Sequence, residues 1–282
     1  MITVHNLSKS FQRKEVLHSI NLTLENNVYG LLGANGAGKT TLLRCMAGLF
    51  DPQQGEVLYR NEPIHKSKSL HHDLGYLPQS FGMFQELTLY EMMDYICSLK
   101  NIPSSQCSSA IARALNSVNL EDKAGDRVKT LSGGMLRRAG IAQAILGDTK
   151  VMLLDEPTAG LDPSERIRFK NTINHIKQDK MILISTHIVE DVDASCDRVI
   201  VIEKGRILFN GSCTELKNIA LNKVYLVPET DLPAVAGQKF SLKVNEIEGK
   251  VCHRILTQDK QTFSGEEPSL EDGYMCLVKG LA

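Results

Sequence analysis

Short apolar runs alternate with helically spaced segments along most of the chain. Apolar runs bounded by turn residues predict buried strands, and segments whose apolar residues recur every three or four positions predict helices. Strands and helices in alternation are typical of an α/β fold with a mainly parallel sheet. The predicted strands are residues 28–32, 56–59, 74–77, 151–155, 181–185 and 199–203, and the predicted helices include residues 39–47, residues 188–194 and a helix that begins at Pro163.

The middle of the chain, residues 82–147, has a mostly helical pattern. Thr88, followed three residues later by Glu91, predicts a capping box at the start of a helix over residues 89–99. Pro103 suits the first turn of another helix. We therefore expect a helical subdomain in this part of the chain.

The last part of the chain has a different pattern. Alternating residues predict strands at 223–227, 240–244 and 251–257, with prolines and glycines between them. This pattern indicates a small β-rich addition to the α/β fold. The sequence therefore predicts a main domain over residues 1–217 and an accessory segment over residues 218–282.

Composition and charge narrow the classes of function. The formal net charge of −1 provides no general attraction to nucleic acid, so we expect no nucleic-acid partner. No apolar run approaches the roughly 20 residues that span a bilayer, and the first residues lack the pattern of a secretory signal. The seven cysteines are scattered, without a Cys-x-x-Cys pair. We expect them to be reduced thiols of a cytoplasmic protein, because a metal site would need clustered ligands.

The strongest chemical signal is a glycine-rich turn between a predicted strand and a predicted helix. It reads GANGAGKT over residues 33–40, which matches the phosphate-binding P-loop pattern, also called Walker A. In such a turn, backbone N–H groups and the start of the helix surround the phosphates. Lys39 is placed to reach the β- and γ-phosphates of ATP, and Thr40 to ligate Mg²⁺. The predicted nucleotide contacts are Gly33, Asn35, Gly36, Ala37, Gly38, Lys39, Thr40 and Thr41.

Two carboxylates follow the apolar strand at 151–154. Asp155 and Glu156 emerge at its carboxyl end, where open α/β sheets bind their ligands. We expect Asp155 to hold Mg²⁺ through a water, and Glu156 to act as general base toward the attacking water. An apolar strand that ends in two acids is common by itself, so this interpretation depends on the P-loop.

A second helix start suited to phosphate lies at residues 131–135, which read LSGGM. Ser132 is a good N-cap, and a helix is predicted over residues 135–146. By itself, Ser132 fits an ordinary N-cap equally well. Together with the P-loop and the two acids, however, the segment resembles the signature of the ABC ATPase family, in which Gln usually stands at the position of Met135. The resemblance covers roughly residues 1–217 and implies a P-loop NTPase fold of the ABC ATPase type, with a mixed sheet and a helical subdomain.

The resemblance also implies roles for other residues. Gln79 matches the Q-loop glutamine, which senses and ligates Mg²⁺, and residues 159–162 match the D-loop. His187 matches the switch histidine, whose imidazole bonds the γ-phosphate. Phe11 stands where an aromatic ring usually stacks on adenine, although a plain core position fits it as well. The implied sets are Glu156, His187, Gln79 and Lys39 for catalysis, Thr40, Gln79 and Asp155 for Mg²⁺, and Ser132, Gly133, Gly134 and Phe11 for additional contacts with ATP.

Because the chain contains one P-loop, the family arrangement implies an ATP-sandwich dimer, in which the signature of one subunit closes over the ATP of another. It implies an ATPase that powers a membrane transporter through a separate permease, at the cytoplasmic face of the cell membrane. Likenesses at residues 131–138, 165–169 and 185–192 favour the bacterial exporter type.

Two alternatives remain from the sequence. One is a soluble ABC ATPase of cluster assembly, DNA repair or translation, although the second ATPase domain, coiled coil or zinc insertion common in the last two is not found. The other is an ATP-gated regulatory clamp, against which the presence of Glu156 and His187 argues. We expect Arg137 and Arg138 to lie on one face of the signature helix and not to form a patch that binds nucleic acid. The segment 218–282 indicates no role beyond packing, dimer support or regulation.

Overall fold

The computed structural model describes residues 1–12, 14–247 and 249–282. These residues form two compact units, Met1–Ile207 and Leu208–Ala282. The division between the two units lies ten residues before the predicted end of the main domain at residue 217. The predicted domains, 1–217 and 218–282, therefore stay a prediction.

The first unit contains all of the predicted chemical motifs. Its strands are Ile2–Phe11 (β1), Lys14–Leu24 (β2), Asn27–Leu32 (β3), Gln54–Tyr59 (β4), Glu62–Pro63 (β5), Leu74–Leu77 (β6), Val151–Asp155 (β7), Met181–Thr186 (β8), Arg198–Glu203 (β9) and Arg206–Ser212 (β10), the last of which continues into the second unit. Its helices are Lys39–Met46 (α1), Lys68–Asp73 (α2), Leu89–Leu99 (α3), Ser104–Ser117 (α4), Gly133–Ile145 (α5), Pro163–Ile176 (α6) and Val189–Ser195 (α7).

The strands form an antiparallel sheet in the order β2-β1-β4-β5 and a second sheet in the order β10-β9-β3-β8-β7-β6. From β9 to β6 this second sheet is parallel. The α/β fold predicted from the alternation of strands and helices is therefore confirmed. Because parallel strands end at one edge, Leu32, Asp155 and Thr186 finish side by side there.

Both faces of the parallel sheet are covered, as parallel sheets usually are. Met152 and Leu154 of β7 pack into one apolar cluster, which includes helices α3, α4 and α5. Val151 and Leu153, whose side chains alternate with these, pack into a second cluster with α1 and the antiparallel sheet. A continuous apolar run is thus required over the first four residues of β7, and the acids follow at the carboxyl end of the strand.

The capping box predicted at Thr88 is confirmed. Its hydroxyl accepts a hydrogen bond from the N–H of Glu91 at 3.1 Å, and the Glu91 carboxylate accepts one from the N–H of Thr88 at 2.7 Å. Helix α3 follows over the predicted residues, and α4 begins directly after Pro103, as expected.

The second unit is a small β-rich fold with two helices that the sequence analysis did not predict. Its strands form an antiparallel sheet in which the strand that comes last in the sequence lies between the other two. Gly273 in the second helix allows close approach, since a Cβ there would lie 2.0 Å from the carbonyl oxygen of Leu216. A glycine lowers helix propensity, which is why pattern alone missed this helix. The elements are Cys213–Asn218 (α8), Val224–Pro228 (β11), Lys239–Ile247 (β12), Lys250–Thr257 (β13) and Leu270–Lys279 (α9).

Asp272 is the main polar anchor of this second unit. Its carboxylate is buried and accepts hydrogen bonds from Ser269 N at 2.7 Å and from Arg254 Nη2 at 2.7 Å. Burial raises the pKa of Asp272, but the hydrogen bonds from Arg254 and Ser269 outweigh it and hold the pKa below the ordinary value. The carboxylate therefore joins β13 to the start of α9.

We expect Asp272→Asn to destabilise the second unit by about 2 kcal/mol, because charge-assisted hydrogen bonds of a buried group are lost. Hydrogen exchange of the amides of β13 and α9 measures this loss. Since the folded pKa lies below the unfolded one, the stabilisation is complete above the ordinary aspartate pKa of about 4 and is lost as the pH falls through the lower folded value. Glu266→Gln is the control, as its 3.6 Å pair with Arg254 is partly exposed and should contribute less than about 1 kcal/mol. Equal effects of the two substitutions would contradict this assignment.

Candidate active site

The turn between β3 and α1 has the close backbone packing of a phosphate-binding loop. A Cβ on Gly33 would lie 2.3 Å from the carbonyl oxygen of Ile202, so no larger residue fits there. Gly38 has φ 110°, a left-handed conformation that favours glycine, and directly precedes α1. The N–H groups at the start of α1 therefore lie beside the loop.

A cavity of about 420 Å³ lies over this turn. The predicted ATP residues of the loop and of α1 contribute most of its wall, and Gln79 and Glu156 also line it. The lining residues are Lys14, Val16, Asn35, Gly36, Gly38, Lys39, Thr40, Thr41, Gln79 and Glu156. Gly33 and Ala37 are buried within the turn and are not among these lining residues, so their contact with ATP stays a prediction.

Phe11 does not line this cavity in the part of the chain that the structure describes. It lies at the end of β1, paired with Lys14, which does line the cavity. Its ring is partly exposed and packs edge-on against Phe50, with the ring centroids 5.4 Å apart. The contact with adenine therefore stays a prediction.

Lys39 and Glu156, which line the cavity, contact each other, and Glu156 also contacts His187. Lys39 Nζ lies 3.2 Å from Glu156 Oε1, and Glu156 Oε2 lies 3.0 Å from His187 Nδ1. Lys39 also donates to the carbonyl oxygens of Gly33, at 2.7 Å, and Ala34, at 3.3 Å. Lys39 and Glu156 are buried, whereas His187 is exposed. The ammonium of Lys39, at the start of α1, is suited to bind an anion such as phosphate in place of these oxygens.

Glu156 is held in an unfavourable backbone conformation, with φ 47°. A residue other than glycine rarely adopts this region, and it persists only where neighbouring groups hold it. The N–H of Glu156 donates to both the carbonyl oxygen and the hydroxyl of Ser185, at 3.1 and 3.0 Å. These bonds turn the chain out of β7 and aim the Glu156 side chain at the cavity.

Asp155 offers a ligand for a cation. Its Oδ1 accepts a hydrogen bond from Ser185 Oγ at 2.5 Å, while its Oδ2 is buried and has no hydrogen-bond partner. No group of three or more His, Cys, Asp or Glu side chains within residues 1–12, 14–247 and 249–282 is placed to hold a metal. That is compatible with Mg²⁺, which commonly combines one or two protein ligands with waters and phosphates.

Comparison with known proteins identifies the class of ATP site. A family model described as ABC transporter matches residues 17–159, half of the chain. The "Uncharacterized ABC transporter ATP-binding protein YxlF" of Bacillus subtilis (strain 168) is 34% identical, over 99% of each chain. The chain belongs to the ABC transporter family. It is an ATP-binding subunit of this family and an ATPase, as the family assignment and the P-loop cavity together show.

Two further similarities are informative. The "Nod factor export ATP-binding protein I" of Rhizobium sp. (strain N33) is 35% identical over 219 residues, 75% of this chain and 70% of that protein. Among solved structures, cbiO1 from Clostridium perfringens, part of the ABC transporter complex cbiONQ, has a TM-score of 0.70 at 28% identity and covers 76% of this chain and 89% of its own. The chain spans only 11–27% of some longer relatives that it matches.

The ABC signature lies apart from the subunit's own ATP cavity. Ser132 is the N-cap of α5, and its hydroxyl accepts a hydrogen bond from the N–H of Met135 at 3.2 Å. Ser132 and Gly133 are exposed, and neither belongs to the described lining of the cavity. Helix α5 begins at Gly133, so the start predicted at residue 135 was wrong by two residues. The start of α5 is therefore exposed at Ser132 and Gly133.

Two important residues were not assigned a site role from the sequence. Ser185 bonds to both Asp155 and Glu156, and its only sequence signal was its place before Thr186 and His187. Arg137 is buried and donates to backbone carbonyls around the site, whereas the sequence indicated only a face of the signature helix. Both contacts join segments distant in sequence, which local patterns do not show.

We expect Ser185→Ala to reduce ATP hydrolysis about tenfold or more, because the end of β7 would lose its side-chain support. It should also cost about 1–3 kcal/mol of unfolding free energy, since a buried carboxylate oxygen loses its partner. Steady-state hydrolysis and urea unfolding measure the two effects. Ser117→Ala is the control, because that hydroxyl donates to Arg113 O within its own helix. A full hydrolysis rate in Ser185→Ala would contradict this role.

Proposed function

We propose that this ATPase powers a membrane exporter and hydrolyses Mg·ATP between two subunits. The observation that carries the proposal is the placement of Ser132 and Gly133. They form an exposed helix start outside the subunit's own ATP cavity. A helix N-terminus is a favourable site for phosphate, so the signature of one chain is suited to ATP held by another. The similarity to a Nod factor export protein supports the exporter class.

Different residues in and around the cavity bind the phosphates, the metal, the attacking water and the adenine. Lys39 exchanges the carbonyl and carboxylate oxygens around it for phosphate oxygens, which frees Glu156. Thr40, Asp155 and Gln79 would hold Mg²⁺, and the ion would supply positive charge against the phosphates. Glu156 accepts a proton from the attacking water, and His187, 3.0 Å from it, orients the carboxylate and bonds the γ-phosphate. Phe11 stacks on the adenine.

The permease docks on an aromatic surface that follows the Q-loop. Phe84 and Tyr95 meet edge-on, with their ring centroids 5.5 Å apart, and both are exposed. Leu99 is exposed as well and lies four residues after Tyr95, on the same side of α3. Exposed apolar groups on one face are typical of a protein interface. We call Phe84, Tyr95 and Leu99 the docking surface.

In this proposal the chain lies at the inner face of the cell membrane, against a separate integral-membrane permease. No helix in the described ranges is long and apolar enough to cross a bilayer. A soluble ABC ATPase would bind only non-membrane partners, and a regulatory clamp would form a long-lived ATP dimer without turnover. The docking surface favours the transporter over both.

We expect Glu156→Gln to bind ATP and dimerise normally while turnover falls about 100- to 10,000-fold, because the amide cannot accept the proton of the attacking water. Equilibrium nucleotide binding, size-exclusion chromatography with ATP and steady-state hydrolysis measure the three properties. Normal hydrolysis by this variant would show that Glu156 is not the general base.

We expect a Phe84→Ser, Tyr95→Ser double variant to lose the permease while it keeps ATP binding. The measurement is purification of the tagged chain from detergent-solubilised host membranes, with mass spectrometry of the co-purifying polytopic protein. Ile167→Ser is the matched control, because Ile167 on α6 is 61% exposed, against 58% for Phe84, but lies outside the docking surface. Equal recovery of the membrane protein by both variants would contradict this docking surface.

A further inference from the structure

Arg137 of the signature helix makes unusually many contacts for a buried cation. It is only 8% exposed, and its guanidinium donates to four backbone carbonyls. Three of these belong to consecutive residues at the end of β7, and the fourth belongs to the Q-loop. The acceptors are Pro157 O at 2.7 Å, Gln79 O at 3.0 Å, Asp155 O at 3.2 Å and Glu156 O.

The chemistry of the site requires arginine specifically. A guanidinium presents five donors in a planar fork, whereas lysine offers three donors from one atom. Burial lowers the pKa of Arg137, and the nearby charges of Asp155 and Glu156 partly offset this effect. The guanidinium carbon also lies over the ring of Phe81, 5.7 Å from its centroid. The N–H donors of Arg137 thus bind the backbone of the segments that border the ATP cavity, and its charge lies near those of Asp155 and Glu156.

The bond to Glu156 O reaches the residue whose backbone is strained. Glu156 has φ 47°, a conformation that requires support from its surroundings. Ser185 holds its N–H, and Arg137 holds its carbonyl and those on either side. The two supports fix the peptide groups of Glu156 and thereby the direction of its carboxylate.

We propose that Arg137 is a positioning residue, which holds Glu156 and the Q-loop in register with the signature helix. This inference rests on the proposed role of Glu156 as general base. Ser132 lies five residues earlier in the same helix, so phosphate bound there by the neighbouring subunit is joined through α5 to the base of this subunit. Arg137 thus connects the two ATP sites of the dimer.

The adjacent Arg138 supplies a matched control on the same helix. It is 5% exposed, and it donates to Val118 O at 2.9 Å and Asn119 O at 2.8 Å. It also pairs with Glu165 Oε2 at 3.1 Å. These partners lie at the end of α4 and on α6, not in the ATP cavity. A role of buried arginine in packing alone predicts the same result for both positions.

The test compares Arg137→Lys and Arg137→Gln with Arg138→Lys in the full chain. We expect the Arg137 variants to bind ATP within about threefold of wild type, while kcat falls about 10- to 100-fold, because the base is misaligned and not removed. Arg138→Lys should lose thermal stability but keep kcat within about threefold. Equal kcat losses at the two positions would overturn the proposal, as would failure of both Arg137 variants to fold while Arg138→Lys folds.

A double-mutant cycle separates this inference from the proposed function. If Arg137 acts through Glu156, then Arg137→Lys adds little further loss to the single-turnover rate of Glu156→Gln. An additive loss would overturn the positioning role while leaving Glu156 as the base. Normal turnover by Glu156→Gln alone would instead show that the assignment of the base has failed.

Discussion

The buried pair of Lys39 and Glu156 is the interaction on which the architecture of the site depends. Opposite charges can be buried only when each is paired and hydrogen-bonded, because desolvation is costly. Lys39 is satisfied by Glu156 and by the carbonyls of the P-loop, and Glu156 by Lys39 and His187. The pair therefore requires β3, β7 and β8 to end at one edge, as they do in the parallel sheet.

The same pair gives the proposed mechanism its first step. In that proposal, phosphate oxygens replace the oxygens that Lys39 contacts here, and the Glu156 carboxylate becomes free to accept a proton from water. Two helix starts are suited to phosphate, that of α1 at the cavity and that of α5 outside it. Arg137 links α5 to the backbone of Asp155 and Pro157 on either side of Glu156, so the exposed helix start and the buried Glu156 belong to one connected arrangement.

Much of the fold and most of the site were predictable because their signals are local. The P-loop, the strand at 151–155 and the capping box at Thr88 each depend on residues a few positions apart. Arg137 and Ser185 were missed because their partners lie 18–58 and 29–30 residues away in sequence. Helix α9 was missed because Gly273 lowers helix propensity. The glycine is needed for the close approach of α9 to α8. The order of the motifs along the chain predicted that Phe11 contacts adenine. In the structure its ring packs against Phe50 and is not part of the described cavity lining.

In the proposed dimer, ATP is hydrolysed between the P-loop of one chain and the signature of another. Mixing two inactive variants tests this arrangement: Lys39→Ala, which lacks its own phosphate site, and Ser132→Arg, which blocks its own signature. In a mixed dimer, the P-loop of the second variant meets the intact signature of the first. We expect each variant alone to be inactive and the mixture to recover a clear fraction of the wild-type rate. A mixture as inactive as its components, under conditions in which the wild-type chain hydrolyses ATP, would contradict this arrangement.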